Sequence, residues 1–204
     1  MLNRYNLPKL EAEAFAFNQT HDLVLDEVIK TSCRYIRISS IFDVRPYLRN
    51  DPSTILTRQI SRKVLDKAGD LSTVIYLHAV YGGENSKSFI DLPLSSKSFF
   101  YESLRDYLYV MDVGTALLDF ILNSNNFYQE IEFGTSKPYL SSEICKYLES
   151  KGLTSLYPIQ NNSQTFRILS EQNAICSSSQ TRIRNIETKL LPDRLQEYLK
   201  HRLI

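Results

Sequence analysis

The sequence predicts a helix-rich α+β protein with one moderate domain or two small ones, since 204 residues are too few for more. Apolar residues make up 43% of the chain and charged residues 23%, so the chain can bury a core. Several stretches repeat apolar residues at helical spacing, and fewer show an extended pattern. Six glycines are under half the usual share, which argues against a fold built on glycine-rich nucleotide-binding loops.

The first part of the chain predicts two helices. Apolar residues follow a helical spacing over 23–41, and an alternating pattern over 33–38 predicts a short extended segment at the end of this helix. A cleaner helix starts with a cap at Ser53 or Thr54 and ends at Gly69. Its apolar positions recur every fourth residue, at Leu56, Ile60, Val64 and Ala68. Its polar face indicates a solvated surface in preference to a phosphate-binding one, and it carries Arg58, Arg62, Lys63, Asp66 and Lys67.

The middle of the chain predicts a strand followed by helices. The apolar run 71–81 favours a strand, with a buried helix as the alternative, and 89–94 is a candidate extended partner. His78 lies inside this run, which favours a hydrogen-bonded core histidine over a catalytic base. From Ser96 onward a helical pattern predicts two helices, with a break or bend at Gly114. Their apolar face holds Phe100, Leu104, Leu108, Met111, Leu118, Ile121 and Leu122.

The segment 112–169 predicts helix, short helix, turn, helix and a two-stranded hairpin. The turn is Gly134-Thr135-Ser136-Lys137-Pro138, and the third helix ends at Tyr147-Leu148-Glu149-Ser150-Lys151-Gly152-Leu153. Extended runs over 153–160 and 164–169 are joined by Asn161-Asn162-Ser163, and the second ends with Thr165-Phe166-Arg167-Ile168-Leu169. This order is similar to the winged helix-turn-helix modules of bacterial transcription regulators. The sequence therefore predicts a winged helix-like module in the C-terminal half.

The resemblance implies a regulatory or accessory protein that binds double-stranded DNA, with the third helix in the major groove. Lys137 and Lys146 would contact phosphates, and Ser141 and Ser142 would reach base edges. The wing would contribute Asn161, Gln164 and Arg167 to the phosphates or the minor groove. Residues 135–204 hold ten Lys plus Arg against six Asp plus Glu, a mild positive charge of +4 that suits this hypothesis.

A non-enzymatic interaction or assembly subunit of a larger complex is the alternative function. Thirteen tyrosines and ten phenylalanines provide interface-forming side chains, for example Tyr101, Tyr107 and Tyr109. Winged helices also serve as protein-binding domains, so the partner is either DNA or another protein. For the regulator we expect a homodimer that pairs partly through 182–204, where Leu195, Tyr198 and Leu199 share a helical face.

The sequence indicates no enzyme and no cofactor. No phosphate loop, dinucleotide fingerprint, nucleophile elbow or zinc-protease helix occurs, and the histidines at 21, 78 and 201 have no metal-ligand spacing. Asp91, Glu102 and Asp106 near Lys97 could suggest a nuclease, but acidic residues near a helix start are expected from the helix dipole.

The cysteines and the apolar segments predict a cytoplasmic protein. Cys33, Cys145 and Cys176 are odd in number and far apart, which indicates free thiols in a reducing compartment. Neither a signal peptide nor a membrane span is predicted. We expect three segments: an α+β region of unknown role over 1–95, the winged helix-like module over 96–176 and a C-terminal helical segment over 182–204.

Overall fold

The computed structural model describes residues 7–44, 52–82, 98–101, 104–123, 129–135, 137–152, 156–159, 182–185 and 191–202. Its helices are α1 (Leu7–Thr31), α2 (Ile41–Val44), α3 (Pro52–Ala68), α4 (Val110–Asn123), α5 (Ser141–Ser150) and α6 (Leu191–Arg202). The longer strands are β1 (Tyr35–Ser40), β2 (Ser72–Leu77), β4 (Ser98–Tyr101), β7 (Glu130–Gly134), β9 (Leu156–Ile159) and β10 (Arg182–Asn185). The strands of two or three residues are β3 (Ala79–Tyr81), β5 (Leu104–Arg105), β6 (Tyr107–Tyr109) and β8 (Tyr139–Leu140).

Helices and strands are interspersed along the chain, and strands far apart in sequence become neighbours. The largest sheet has the order β1-β2-β7-β10. Two parallel pairs, β3 with β6 and β4 with β9, and one antiparallel pair, β5 with β8, lie outside it. Parallel pairing of strands that are distant in the chain requires crossover connections, which are typical of α/β proteins. The predicted α+β class is therefore wrong.

The chain divides into two compact units, 1–76 with 126–131 and 77–125 with 132–204. In the first unit, α3 packs its every-fourth-residue face into a core, as its spacing predicted. Ile60 and Val64 are buried there against Leu25 of α1 and Val74 of β2. Helix α3 ends at Ala68 because Gly69 takes a φ of +50°, a conformation that favours glycine.

The core of the second unit is rich in tyrosine. Tyr81 stacks edge-on against Tyr198 of α6, with ring centroids 5.8 Å apart, and Tyr107 of β6 is buried beside them. Helix α5 contributes Ile144 and Leu148, both 2% exposed. Leu195 and Leu199 of α6 complete this core, so the C-terminal segment packs within its own chain. This packing counts against the expected homodimer, in which that segment would meet a second copy.

The winged-helix interpretation of 112–169 is wrong. The predicted second helix is strand β7, and β9, in the first predicted wing strand, pairs in parallel with β4. The second predicted wing strand lies outside the described residues. Of the helices predicted for the module, the first lies within α4 and the third is α5. Helix α5 ends as expected, with Gly152 at a φ of +68° and its N–H donating to the backbone carbonyl of Glu149 at 2.8 Å.

The helical prediction from Ser96 onward is partly wrong. The chain forms β4, β5 and β6 before α4 begins at Val110, and α4 runs through Gly114 without a break. Leu104 and Leu108 are four residues apart, an interval that places residues on one face of a strand as well as of a helix. Leu118 and Ile121, expected in the core, are 61% and 52% exposed, because α4 buries Val113 and Phe120 instead. None of the helices in the described ranges is long and apolar enough to cross a membrane.

Candidate functional site

Polar side chains of the second unit converge on the segment that follows β7. Asp106 lies between β5 and β6 and is 4% exposed. Its carboxylate accepts hydrogen bonds from the backbone N–H of Thr135, at 2.7 Å, and from the Thr135 hydroxyl. Its backbone carbonyl accepts a hydrogen bond from the N–H of Ala79 at 3.1 Å. Asp106 therefore joins three segments of this unit.

Gly134 allows the backbone to approach this carboxylate. A Cβ atom at this position would lie 2.7 Å from Oδ2 of Asp106 and 3.4 Å from Cδ2 of His78. Two atoms this close overlap, so a larger residue would displace the Asp106 side chain or the strand end. The glycine therefore fixes how closely the end of β7 and Asp106 pack.

Two exposed cations flank this arrangement. Arg105 immediately precedes Asp106, and its backbone pairs with Tyr139 across β5 and β8. Lys137 follows Thr135 by two residues, and its N–H donates to the Thr135 hydroxyl oxygen at 3.1 Å. Among the described residues, neither cation forms an ion pair with a carboxylate. We call Arg105, Asp106, Gly134, Thr135 and Lys137 the Asp106 site.

The chemistry of the Asp106 site suits binding of an anion. Asp106 is buried, and its carboxylate accepts two hydrogen bonds from Thr135, so it holds the segment that carries Lys137. Arg105 and Lys137 present their charges to solvent, and guanidinium and ammonium groups both form strong charge-assisted hydrogen bonds with phosphate. In the described part of the chain, no group of three potential metal-ligating side chains is present.

His78 and Glu132 form a second buried feature of this unit. Their side chains are 4% and 3% exposed, and Nε2 of His78 lies 3.5 Å from Oε2 of Glu132. This distance fits an ion pair better than a hydrogen bond, and Nε2 has no hydrogen-bond partner among the described residues. The expectation of a fully hydrogen-bonded core histidine is therefore wrong at this nitrogen. The burial of both groups separates them from a ligand in solvent.

The first unit carries its own polar network around the carboxylate of Asp43. This carboxylate accepts hydrogen bonds from the hydroxyls of Ser39, Thr57, at 2.7 Å, and Ser61, at 3.2 Å. Arg58 donates through Nε to the backbone carbonyl of Asp43 at 2.9 Å. These bonds attach the short helix α2 to α3. Because the hydroxyls donate to one buried carboxylate, the arrangement stabilises the fold and offers no activated nucleophile.

Arg37 extends this network toward α1. Its Nε donates to the Ser61 hydroxyl at 3.1 Å, and its Nη1 lies 3.4 Å from Nε2 of His21. Burial and the nearby Arg37 charge both lower the pKa of His21 below its ordinary value, because each disfavours the imidazolium. Asp22 bonds to Lys63 at 2.6 Å, which lowers the pKa of that carboxyl group.

The structure locates four of the seven residues predicted to contact DNA. Lys137 and Lys146 are exposed, and Ser142 is half-buried. Ser141 is 1% exposed and lies 3.1 Å from the Tyr107 hydroxyl, so it faces the core. Asn161, Gln164 and Arg167 lie outside the described residues. Of the four residues that the structure describes, Lys137 belongs to the Asp106 site.

Sequence reasoning missed the roles of Arg105, Asp106 and Thr135. Asp106 was interpreted as an acidic residue near a helix start, but strands surround it. A usable signal was present: Gly134 directly follows the run Ile131-Glu132-Phe133, and a glycine at the end of a strand indicates a close backbone approach. The sequence could not show that Asp106 is the side chain that packs closely against this glycine.

At the sequence level, neither family models nor curated proteins match this chain. Solved structures do match. MoeE5 in complex with UDP-glucuronic acid and NAD superposes with a TM-score of 0.63 at 15% identity, over 90% of this chain and 71% of that one. TunA, an NAD-dependent NDP-hexosamine 5,6-dehydratase involved in tunicamycin biosynthesis, gives 0.60 at 11% identity, over 98% and 75%. UDP-glucose 4-epimerase of Thermotoga maritima with UDP-glucose gives 0.59 at 17% identity, over 90% and 69%.

At these identities the likeness shows the fold, which is the Rossmann-like fold of nucleotide-sugar epimerases and dehydratases. This finding overturns the predicted winged helix and, with it, the double-stranded DNA partner and the regulatory function. The alternative of a non-enzymatic assembly subunit and the expectation of no enzyme are contradicted as well, because the matched structures include dehydratases and epimerases.

Proposed function

We propose that this chain binds a nucleoside diphosphate sugar and acts in an enzyme that transforms it. The observation that carries the proposal is the extent of the likeness to MoeE5, which covers 90% of the chain at a TM-score of 0.63. That protein is described in complex with UDP-glucuronic acid and NAD, and the Thermotoga maritima epimerase with UDP-glucose. A nucleoside diphosphate sugar is the ligand class that these two complexes share.

Within the second unit, the Asp106 site supplies groups that suit the diphosphate. Arg105 offers a planar guanidinium that can form two parallel hydrogen bonds with phosphate oxygens, and Lys137 adds a point charge. Both side chains are exposed and lie beside a segment that hydrogen bonds to Asp106 and Thr135 hold in place. We assign the diphosphate to these two cations.

The residues that the structure describes do not fit the NAD of the matched complexes. A dinucleotide pyrophosphate rests on a glycine-rich turn between a strand and a helix. Gly82 and Gly134 face Tyr109 and Asp106 too closely to leave room for a ligand, and the described Gly69, Gly114 and Gly152 stand in a 3-10 turn, a helix interior and a helix end. We therefore assign no step of the reaction to NAD held by these residues.

A cytoplasmic location forms part of the proposal. Cys33 is exposed and Cys145 buried, and both are free thiols. Free thiols are typical of reducing compartments.

The division of the chain into the segments 1–95, 96–176 and 182–204 also stays a prediction.

Isothermal titration calorimetry with UDP-glucose and dTDP-glucose tests the proposal. We expect binding, and we expect Arg105→Ala and Lys137→Ala each to weaken it by roughly tenfold or more, since a hydrogen bond to a charged group contributes about 1.5–3 kcal/mol. Lys146→Ala is the matched control, because Lys146 is an exposed lysine of α5 outside the Asp106 site.

Two results would contradict the proposal. The first is that the unmodified chain binds neither nucleotide sugar. The second is that Lys146→Ala weakens binding as much as Lys137→Ala, because the effect would then reflect the overall charge of the surface. NMR analysis of the sugar after incubation with the chain and added NAD reports separately on turnover.

A further inference from the structure

We propose that Asp106 is a positioning residue that makes the site select a nucleoside diphosphate over a monophosphate. The inference rests on the proposed function, because it concerns how Arg105 and Lys137 are held for that ligand. Neither cation is fixed by its own side-chain partner among the described residues. Their relative placement therefore depends on the backbone that carries them.

Asp106 connects the two stretches of backbone. It follows Arg105 directly in the chain, and its carboxylate accepts two hydrogen bonds from Thr135. The Thr135 hydroxyl oxygen in turn accepts a hydrogen bond from the N–H of Lys137 at 3.1 Å. A continuous path of covalent and hydrogen bonds thus runs from Arg105 through Asp106 and Thr135 to Lys137.

The Asp106 end of this path is closely packed. Asp106 is 4% exposed, and its two hydrogen bonds with Thr135 are partly buried. Gly134 lets the carboxylate approach to a distance that a Cβ atom would block, and the Asp106 carbonyl anchors the same residue to β3 through Ala79. The carboxylate therefore holds its position even though the cations beside it reach into solvent.

Fixed spacing affects a diphosphate more than a monophosphate. A monophosphate carries its three acceptor oxygens on one phosphorus atom and can shift as a compact group toward either cation, so its binding depends less on the spacing between the two cations. A diphosphate can contact both cations through its two phosphoryl groups. If the two cations are mobile, they must be ordered when the diphosphate binds, and this ordering costs affinity. Loss of the Asp106 bonds should therefore weaken diphosphate binding and leave monophosphate binding nearly unchanged.

The experiment measures Kd for UDP-glucose and for UMP by calorimetry in four variants of the full chain. Asp106→Asn removes the charge and one acceptor, and Thr135→Val removes the bridging hydroxyl at similar volume. Thr135→Ser keeps the hydroxyl and serves as the conservative rescue. Arg105→Ala removes one cation directly. The readout is the ratio of the UMP Kd to the UDP-glucose Kd.

We expect this ratio to fall by about tenfold in Asp106→Asn and Thr135→Val, the effect of about 1.4 kcal/mol, and to return nearly to its original value in Thr135→Ser. Loss of stability alone would weaken both ligands by the same factor and leave the ratio unchanged. Thermal melts confirm that each variant is folded, and Thr135→Val carries the test if Asp106→Asn does not fold.

The outcomes separate the inference from the proposed function. An unchanged ratio in a folded Thr135→Val variant that still binds UDP-glucose would overturn the positioning role and leave the proposed function intact. Failure of the unmodified chain to bind UDP-glucose would overturn both. Loss of selectivity in Thr135→Ser equal to that in Thr135→Val would also overturn the inference, because the hydroxyl would then have no part in it.

Discussion

His21 is half-buried in the first unit and lies 3.3 Å from the hydroxyl of Tyr35 through Nδ1 and 3.4 Å from Arg37 through Nε2. Arg37 is 8% exposed and cannot lose its proton, so its charge is a permanent part of this environment. A protonated His21 would be repelled by the Arg37 charge and would lose part of its hydration. The contact pattern therefore favours neutral His21 in the folded chain.

This environment predicts a pH dependence of stability. Burial, followed by the Arg37 charge, lowers the pKa of His21 below 6.5 in the folded chain. Between the folded and the ordinary value, the unfolded chain binds a proton that the folded chain does not, so stability falls as the pH is lowered from about 7 to 5. His21→Asn should reduce this fall in urea unfolding curves recorded across the range. The same slope in the variant and the original chain would contradict the assignment to His21.

At the residue scale, the sequence indicated which side chains are buried or charged, but not which residues they contact. Ile144 and Leu148 were expected in a core and are buried. The basic face of α3 was expected to be solvated, yet Lys63 pairs with Asp22 and Lys67 with Asp26, both on α1. Such pairs join residues about 40 positions apart. A local pattern holds no information about a partner that only the fold brings near.

At the scale of elements, the pattern of apolar residues correctly identified one helix and one strand. Helix α3 forms where it was predicted, beginning at Pro52, and it buries every fourth residue. Strand β2 lies within the predicted run 71–81 and is buried over almost its whole length. Strand β7 was predicted as a helix. Ile131, Glu132 and Phe133 are all buried there, so β7 shows no alternation that would mark it as a strand.

Helix α4 offers an element-scale prediction at Gly114. The expected break does not occur, and a Cβ at this position would meet no atom within 4 Å. Alanine is favoured over glycine in a helix interior by about 0.8–1 kcal/mol, so Gly114→Ala should raise the free energy of unfolding by about that amount. Chemical denaturation measures the change.

Gly134→Ala is the matched control for this substitution. Its Cβ would lie 2.7 Å from Oδ2 of Asp106, so the same chemical change should destabilise the chain there. A loss of stability in Gly114→Ala would contradict the open surroundings of that residue and indicate a bend that depends on glycine.

At the scale of the whole molecule, the composition argued against the fold that the chain adopts. The scarcity of glycine argued against a fold with glycine-rich nucleotide loops, yet the chain adopts the Rossmann-like fold in which such loops are common. The strand order of the sheet, β1-β2-β7-β10, depends on contacts between strands that lie up to about 60 positions apart in the chain. The sequence pattern cannot reveal these contacts, so the fold class could not be predicted although several of its elements could.

The same difference between composition and fold predicts how this chain responds to two ligands. The 204 residues contain no G-x-G-x-x-G segment, and the described glycines serve turns, a helix interior and close packing. We therefore expect NAD, added alone, to leave the melting temperature unchanged. UDP-glucose should raise it, because a ligand at 100 times its Kd stabilises the folded state by about 2.7 kcal/mol. Differential scanning fluorimetry measures both shifts, with AMP as a control for weak binding of an adenine nucleotide. A shift with NAD that clearly exceeds the shift with AMP would show that this chain holds the dinucleotide by groups other than a glycine-rich turn.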